Sequence, residues 1–255
     1  MMDENPLTRF SKTVDNYIRY RPGYPFNLLD FMKSELGFSA NSVVADIGAG
    51  TGKLTELFIK NGNPTLAVEP NTDMRAAMER LFGNFENLQS GEGTAEATHL
   101  PDHCADFVVA AQAFHWFDRA KTRTEFQRIS KPGAWTLIVW NDRNDARSDF
   151  MQAYTGFLTE FSTDLAQIDH RNIGDDQLAP FFGENGFGLR EFDYLQTFDF
   201  EGVRGRYLSS SYAFHENHPR HAEAMQRLSD TFAAHAVDGK VAFWYLTKIY
   251  YGRLG

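Results

Sequence analysis

The feature that most constrains the fold is a short apolar run that ends in an acid and then breaks into alternating glycines. Residues 43–54 are Val-Val-Ala-Asp-Ile-Gly-Ala-Gly-Thr-Gly-Lys-Leu, and Leu54, Leu57 and Phe58 follow at helical spacing. This order predicts a strand, a tight turn and a helix, which is the opening of a βαβ unit. Glycine allows a positive φ and lets a ligand approach bare backbone, while the helix N-terminus favours a carboxylate or a phosphate.

The spacing of the glycines distinguishes between the classes of ligand that bind such turns. A dinucleotide fingerprint needs a third glycine at the sixth position of G-x-G-x-x-G. Counted from the first or the second glycine, that position holds Lys53 or Thr55, and the phosphate-loop pattern fails because Leu54 stands where Ser or Thr is required. The pattern that remains, Asp-x-Gly-x-Gly-x-Gly, spans residues 46–52. It resembles the glycine-rich motif of class I S-adenosylmethionine-dependent methyltransferases.

A second acid supports an adenosine-type ligand. Residues 65–70 predict a second strand, which ends in Glu69, and Pro70 stops it. An acid at this place can accept hydrogen bonds from the two hydroxyls of a ribose. The turn and Glu69 fit both a methyltransferase and a dehydrogenase, and the missing sixth glycine favours the methyltransferase. Asn71 or Thr72 is predicted to cap the next helix, whose first turn carries Met74, a residue of the core or an adenine contact.

Two further segments resemble the same family. Residues 91–101 contain Gly-x-Ala-Glu-x-x-x-Leu-Pro, which resembles its adenine-flanking motif and implies that Thr94, Ala95 and Glu96 border the adenine. Many members carry Asp at the position of Thr94, so either Glu96 or backbone would meet the exocyclic amine. Residues 21–25, Arg-Pro-Gly-Tyr-Pro, resemble the N-terminal segment that covers the methionine end of the cofactor in trans-aconitate methyltransferases. This segment is either such a lid or an arm packed on the core.

The resemblance extends over residues 10–140 and more loosely to the last strand. The nearest groups are the trans-aconitate methyltransferases and the quinone-biosynthesis C-methyltransferases, and they imply S-adenosylmethionine as cofactor. The motifs, the strand ends and the resemblance together predict these cofactor contacts: Tyr24, Asp46, Gly48, Ala49, Gly50, Gly52, Glu69, Pro70, Met74, Thr94, Ala95, Glu96 and Gln112.

The predicted mouth of the site follows the fourth strand, residues 105–111. Ligands of a doubly wound sheet bind beyond the carboxyl ends of the strands, near the point where strand order reverses. His115 is there either a hydrogen-bonded or capping histidine or a catalytic base, and Trp116 is pocket wall or core. The predicted substrate contacts are Arg21, Trp116, Trp140, Asn141, Arg143 and Tyr212, with an ordinary surface arginine as the alternative for Arg143.

The whole pattern predicts an α/β fold: a Rossmann-like, seven-stranded, mostly parallel sheet with an antiparallel last strand, helices on both faces and a helical cap. Residues 1–145 are predicted to form the N-terminal lid and the cofactor-binding half, and residues 146–255 the cap and the final strands. Periodicity predicts an N-terminal helix with Phe10 and Val14 on one face. Further predicted helices cover 25–37, 53–61, 117–129, 148–170, 202–212 and 219–236, and further strands 42–47, 134–140, 189–200 and 241–250.

The composition of the chain indicates which binding partners and which cellular compartment to expect. The net charge is −9, which argues against nucleic acid as the main partner. Apolar runs such as 134–140 are too short to span a bilayer, and the N-terminus has no signal-peptide pattern. One cysteine, Cys104, allows no intrachain disulfide and favours a reducing, cytoplasmic location. His215, His218 and His221 lack partners in a metal-binding pattern, so no metal is predicted. The chain is expected to be a monomer or a homodimer.

The predicted function is methyl transfer from S-adenosylmethionine to a small molecule such as a carboxylate. The sulfonium is already an activated donor, so positioning can account for roughly 7–11 kcal/mol of the barrier. A carboxylate or phenolate acceptor needs no base, whereas an alcohol or a carbon acid does, and His115 is the candidate. The alternatives are an NAD-type oxidoreductase on the same sheet and a non-catalytic S-adenosylmethionine-binding protein.

Overall fold

The computed structural model describes residues 14–165 and 174–255. Its centre is a seven-stranded sheet with the strand order β3-β2-β1-β4-β5-β7-β6. Neighbours among β1 to β5 pair in parallel, and β7 pairs antiparallel with both β5 and β6. The last strand is therefore the antiparallel one, as predicted. The strands are β1 (Val44–Ile47), β2 (Thr65–Val68), β3 (Leu88–Gly91), β4 (Ala105–Ala111), β5 (Ser130–Arg143), β6 (Gly188–Phe198) and β7 (Val241–Gly252).

Helices cover both faces of the sheet. In the described part of the chain they are α1 (Val14–Tyr20), α2 (Asn27–Glu35), α3 (Thr55–Lys60), α4 (Thr72–Phe82), α5 (Arg119–Ile129), α6 (Asp149–Glu160), α7 (Asp175–Phe182), α8 (Phe200–Leu208) and α9 (His221–His235). Successive side chains of a strand point to opposite faces. Val109 of β4 accordingly packs in the cluster of α2 and α3, whereas Val108 packs in the cluster of α5 and α7. Burial on both faces explains the continuous apolar runs of the central strands.

A third apolar cluster lies in the last part of the chain. Helices α6, α8 and α9 pack with β7 around buried aromatic side chains, among them Tyr154, Tyr207 and Phe243. These are the helices expected in the cap, while β6 and β7 belong to the main sheet. The division of the chain at residue 145 stays a prediction. Within the described ranges, every helix is too short or too polar to cross a membrane.

Several predicted boundaries need correction. The helix predicted over 148–170 ends at Glu160, because the chain leaves the helix to pair Ser162 with Ala213 across the cap. Residues 166–170 of that helix, like Phe10 of the first, lie outside the described residues. The helix predicted over 202–212 begins after a cap by Asp199 and ends at Leu208, where the Ser209 hydroxyl donates to the carbonyl of Arg206 at 2.7 Å.

Two elements differ from the sequence analysis. Strand β5 continues to Arg143, beyond the predicted 140, because its pairing with β7 extends to Tyr245. Helix α7 was missed, since it has only eight residues and contains Pro180. It is held by tertiary packing, with Phe181 and Phe182 buried on the sheet.

Candidate cofactor site

The glycine turn after β1 adopts a backbone that other residues rarely take. Gly48 and Gly52 have φ values of +72° and +83°. A Cβ atom on Gly48 would lie 2.8 Å from the Cβ of Ala113, and one on Gly52 would lie 2.9 Å from the Cγ of Met78. These two glycines therefore let the turn pack closely on its neighbours. At Gly50 (φ +59°) the nearest atom to an added Cβ would be the Met74 sulfur at 3.9 Å, so this part of the turn is open.

Glu69 is fixed against this turn at the end of β2. Its Oε2 accepts a hydrogen bond from the Gly50 N–H at 2.7 Å, and its Oε1 accepts one from the Asn71 N–H at 2.8 Å. Only 6% of the residue is exposed. Burial raises the pKa of Glu69, and the two backbone donors oppose that increase. Each carboxylate oxygen keeps a second lone pair and can accept a further hydrogen bond, as the predicted contacts with ribose hydroxyls require.

Asp46 provides a second buried carboxylate one strand away. Its Oδ2 accepts a hydrogen bond from the Thr55 hydroxyl at 2.6 Å. Its Oδ1 is buried without a hydrogen-bond partner in the described part of the chain. Burial raises the pKa of Asp46 to about 7, and the charge of Glu69 adds to the increase while Thr55 opposes it. An unpartnered buried carboxylate oxygen is costly, and a cationic donor from a ligand would remove that cost.

Both carboxylates line an open cavity at the carboxyl ends of the strands. The cavity brings together most of the predicted cofactor contacts: Tyr24, Asp46, Gly48, Ala49, Gly50, Glu69, Pro70, Met74, Thr94, Ala95, Glu96 and Gln112. Trp116, predicted as a substrate contact, lines it as well. Gly52 does not line the cavity, because it faces α4.

Sequence reasoning missed several wall residues: Tyr17, Lys53, Leu54, Asn71, Ala111, Ala113 and Phe117. Most are neighbours of predicted residues along the chain, and adjacency could have found them. Tyr17 is different, because tertiary packing brings α1 to the cavity. Lys53 Nζ donates a hydrogen bond to the carbonyl of Ile18 at 2.6 Å and ties α1 to the glycine turn.

The turn after β4 forms the opposite wall. Gln112 has a φ of +55°, unusual for a residue with a side chain, and its Nε2 donates to the carbonyl of Asn141 at 3.2 Å. His115 lies on the following 3-10 turn, with its ring centroid 4.7 Å from that of Trp116. His115 itself does not line the cavity. Its role as a base stays a prediction.

Two of the predicted substrate contacts, Trp140 and Asn141, pack in the core or form hydrogen bonds within the fold. Trp140 is buried between Phe114 and Tyr250, because alternation along β5 turns it toward α5 and α7 and away from the cavity. Asn141 donates from Nδ2 to the carbonyl of Gly23 at 2.8 Å and accepts at Oδ1 from the Thr247 hydroxyl at 2.6 Å. It thereby anchors the Arg-Pro-Gly-Tyr-Pro segment to the sheet.

The remaining predicted substrate contacts, Arg21, Arg143 and Tyr212, meet in a cluster with Arg206. Burial of Tyr212 would raise its pKa, but the guanidinium groups of the three arginines outweigh burial and lower it. Arg21 connects this cluster to the cavity, because its guanidinium lies 5.2 Å from the ring centroid of Tyr17, a cavity residue. No local sequence pattern indicates Arg206.

The three histidines of the cap take part in local contacts. The His218 ring stacks on Phe214 with centroids 3.6 Å apart, and the Nδ1 of His221 lies 2.6 Å from the carbonyl oxygen of Phe214. In residues 14–165 and 174–255, no group of three His, Cys, Asp or Glu side chains is arranged to hold a metal ion.

Comparison with known proteins agrees with this geometry. Residues 45–138 match the model of a methyltransferase domain family. The chain is 33% identical over 146 residues to an uncharacterized methyltransferase-like protein of Schizosaccharomyces pombe, covering 57% of this chain and 56% of that protein. It is 36% identical over 136 residues to an uncharacterized methyltransferase of Mycobacterium tuberculosis, covering 53% of each. The chain thus spans about half the length of these curated relatives.

Solved structures show the same fold over nearly the whole chain. A putative type II methyltransferase from Anaeromyxobacter dehalogenans has a TM-score of 0.66 at 18% identity, covering 92% of this chain and 98% of that one. A putative methyltransferase from an antibiotic biosynthesis pathway of Anabaena variabilis has a TM-score of 0.61 at 20% identity, covering 92% and 99%. Residues 45–138 therefore match a methyltransferase domain family, and the described chain has the Rossmann-like fold of class I S-adenosylmethionine-dependent methyltransferases.

The site residues fit the cofactor of that class. The unpartnered Oδ1 of Asp46 suits the ammonium group of S-adenosylmethionine, and Glu69 at the end of β2 suits its ribose. The open side of the turn at Gly50 leaves room for the ligand between them.

Proposed function

We propose that this protein transfers a methyl group from S-adenosylmethionine to a small molecule. The observation that carries the proposal is the pair of buried carboxylates, Asp46 and Glu69, at the ends of adjacent strands beside an open glycine turn. Strands β1 and β2 pair in parallel with Ile47 opposite Val68, so the two acids reach the same edge of the sheet. Asp46 has an oxygen without a hydrogen-bond partner in the described residues, which suits an ammonium group. Glu69 is held in place by two backbone donors, which suits a ribose.

The proposed contacts follow from this placement. Asp46 accepts a hydrogen bond from the ammonium group, and Glu69 accepts hydrogen bonds from the ribose hydroxyls. Thr94, Ala95 and Glu96 border the adenine, where one oxygen of Glu96 already accepts a hydrogen bond from the Asp118 N–H at 2.8 Å. The Asp118 contact leaves the other Glu96 oxygen for the adenine.

When bound, the cofactor supplies an activated methyl group on a positively charged sulfur. The task of the chain is then to position the acceptor and to exclude water, which can account for roughly 7–11 kcal/mol. Tyr17, Tyr24 and Trp116 place aromatic surface at the cavity wall for this purpose. For an alcohol or carbon acid, His115 is the proposed base, acting from the turn beside Trp116.

The two parts of the chain would have different roles. Residues 1–145 would hold the cofactor and its lid, and residues 146–255 would supply the cap that selects the acceptor. We propose a cytoplasmic monomer or homodimer that works on a small molecule, with neither nucleic acid nor membrane as partner.

A thermal-shift comparison and a transfer assay test the function. S-adenosylhomocysteine should raise the melting temperature of the wild type, and NAD should not. Stabilisation by NAD alone would indicate an oxidoreductase. Incubation with methyl-labelled S-adenosylmethionine and a panel of small carboxylates and phenols should then yield a labelled product. Binding of S-adenosylhomocysteine without transfer to any acceptor would indicate a non-catalytic binding protein.

A further inference from the structure

Lys53 is the one cation among the described residues that line the cavity. The same wall carries three carboxylates, those of Asp46, Glu69 and Glu96. The cofactor proposed above ends in an amino acid, so it brings a carboxylate as well as an ammonium group into this cavity. Asp46 and Glu69 attract the ammonium group and repel the carboxylate. The carboxylate therefore needs a partner of opposite charge, and on the described wall only Lys53 has that charge.

The sequence explains why Lys53 is bonded to helix α1. In an α-helix the carbonyl of Ile18 would accept a hydrogen bond from the N–H of the residue four positions on. That residue is Pro22, which has no N–H. Lys53 Nζ donates to this carbonyl at 2.6 Å and supplies the missing donor. Because Lys53 directly follows Gly52, its side chain connects the glycine turn with the end of α1.

The ammonium group of Lys53 can take a further partner. Lys53 is half-buried, and burial lowers its pKa while the charge of Glu56 opposes the decrease. Its Nζ has three N–H donors, and one of them is used by Ile18. Within residues 14–165 and 174–255, the acceptor of its hydrogen bond is a neutral carbonyl and not a carboxylate. A ligand carboxylate beside this group would form a charge-assisted hydrogen bond, which is stronger than a neutral one.

Helix α1 is the element that such a contact would hold in place. It brings Tyr17 to the cavity wall. On its other side Tyr20 packs against Gly205 of α8, where an added Cβ would clash with the Tyr20 ring. Helix α1 thus lies between the cap and the glycine turn, and Lys53 ties it to the turn.

We infer that Lys53 binds the carboxylate of the cofactor and, through its bond to Ile18, couples cofactor binding to the position of α1. Lys53 is then a specificity-determining residue: it favours ligands that keep the amino-acid carboxylate and holds α1 over them. The identity of the ligand rests on the proposed function.

Calorimetry on the full chain with two matched ligands tests the contact. The ligands are S-adenosylhomocysteine and its decarboxylated analogue S-adenosyl-3-thiopropylamine, which keeps the adenosine, the sulfur and the ammonium group. The wild type should bind S-adenosylhomocysteine about tenfold or more tightly than the analogue, as a charge-assisted hydrogen bond provides. Binding of neither ligand would refute the proposed function and the inference with it. Equal binding of both ligands would overturn the inference alone.

Lys53→Met connects this preference to the ammonium group. Methionine keeps a long apolar stem and removes the charge. The variant should bind S-adenosylhomocysteine about tenfold more weakly than the wild type and the analogue with a Kd within about twofold. A purely structural role for Lys53 would weaken the binding of both ligands by the same factor, and that result overturns the inference.

Two other substitutions serve as controls. Lys33→Met removes an exposed lysine on α2 that donates to the Asn61 side-chain oxygen at 2.9 Å, and it should change neither Kd more than about twofold. Arg21 is a second cation near α1, with hydrogen bonds to Ser209 and Ser210. Loss of the preference in Arg21→Gln, with the preference intact in Lys53→Met, would assign the carboxylate to Arg21 and overturn the inference.

Hydrogen exchange of the α1 amides, followed by mass spectrometry, tests the coupling. At equal saturation of the wild type, S-adenosylhomocysteine should slow exchange in residues 14–20 more than the decarboxylated analogue does. In Lys53→Met the two ligands should protect α1 equally. Equal protection in the wild type would overturn the coupling, and so would a difference between the ligands that persists in Lys53→Met.

Discussion

The effect of burying the Asp46 carboxylate can be measured as a change in the free energy of unfolding. Burial raises the pKa of Asp46 to about 7 from an ordinary value of 3.8. Each pKa unit corresponds to about 1.36 kcal/mol, so the ionised carboxylate lowers the free energy of unfolding by about 4 kcal/mol at most above pH 7. Asp46→Asn removes this charge and keeps an amide oxygen that can accept the Thr55 hydrogen bond. We therefore expect the variant to be more stable than the wild type without ligand.

The stability of the wild type should fall as the pH rises. Because the folded state binds the Asp46 proton more tightly than the unfolded state, the wild type loses stability as the pH rises from about 4 to about 7. Asparagine does not titrate, so the variant lacks this loss. The stability advantage of Asp46→Asn should therefore be small near pH 4.5 and reach up to about 4 kcal/mol at pH 8.

Urea unfolding of the ligand-free protein at these two pH values measures the advantage. Asp30→Asn, on the exposed side of α2, is the control and should change stability by less than about 0.5 kcal/mol at either pH. S-adenosylhomocysteine should stabilise the wild type and have much less effect on Asp46→Asn. An equal difference between variant and wild type at both pH values would refute the reasoning, as would a variant that is less stable at pH 8.

Three further substitutions test other parts of the site. Glu69→Ala should weaken S-adenosylhomocysteine binding tenfold or more by calorimetry, because it removes the acceptor at the end of β2; unchanged affinity removes Glu69 from the site. Gly48→Ala should destabilise the protein in urea more than Gly62→Ala, since both have positive φ but only the first adds a contact of 2.8 Å with Ala113; equal losses would contradict the steric argument. His115→Ala should reduce turnover at least about 100-fold if His115 is the base, and wild-type turnover would exclude it from the chemistry.

The predictable part of the site is the part that lies at strand ends. Asp46, Glu69 and Gln112 each close an apolar run, and parallel strands bring their carboxyl ends to one edge. The glycine spacing then determines the turn, because Gly48 and Gly52 require positive φ and close packing. Local pattern was therefore sufficient to predict which strand ends meet at the cavity.

The arginine cluster could not be predicted in this way. Arg21 and Ser209 are 188 residues apart in sequence, and nothing in either neighbourhood indicates that they meet. Arg206 lies in α8, and its neighbours in sequence, such as Gly202 and Gly205, form no recognisable functional motif. Its position near Arg21 results from the packing of α8 against α1. Arg143 was predicted at the correct strand end, but the groups around it come from the cap.

The two halves of the site have opposite charge, and this polarity agrees with the proposed chemistry. Asp46 and Glu69 line the cavity where a ligand with ammonium and sulfonium charges would lie, while the guanidinium of Arg21 lies 5.2 Å from the ring centroid of Tyr17, another residue of the cavity. A chain with a net charge of −9 repels small anions at long range. Within residues 14–165 and 174–255, Arg21 and Arg206 form no ion pair with a carboxylate, so their local field opposes the long-range field of the chain. Attraction by Asp46 and Glu69 and repulsion by the arginines would therefore both favour the positively charged end of the cofactor beside the two acids.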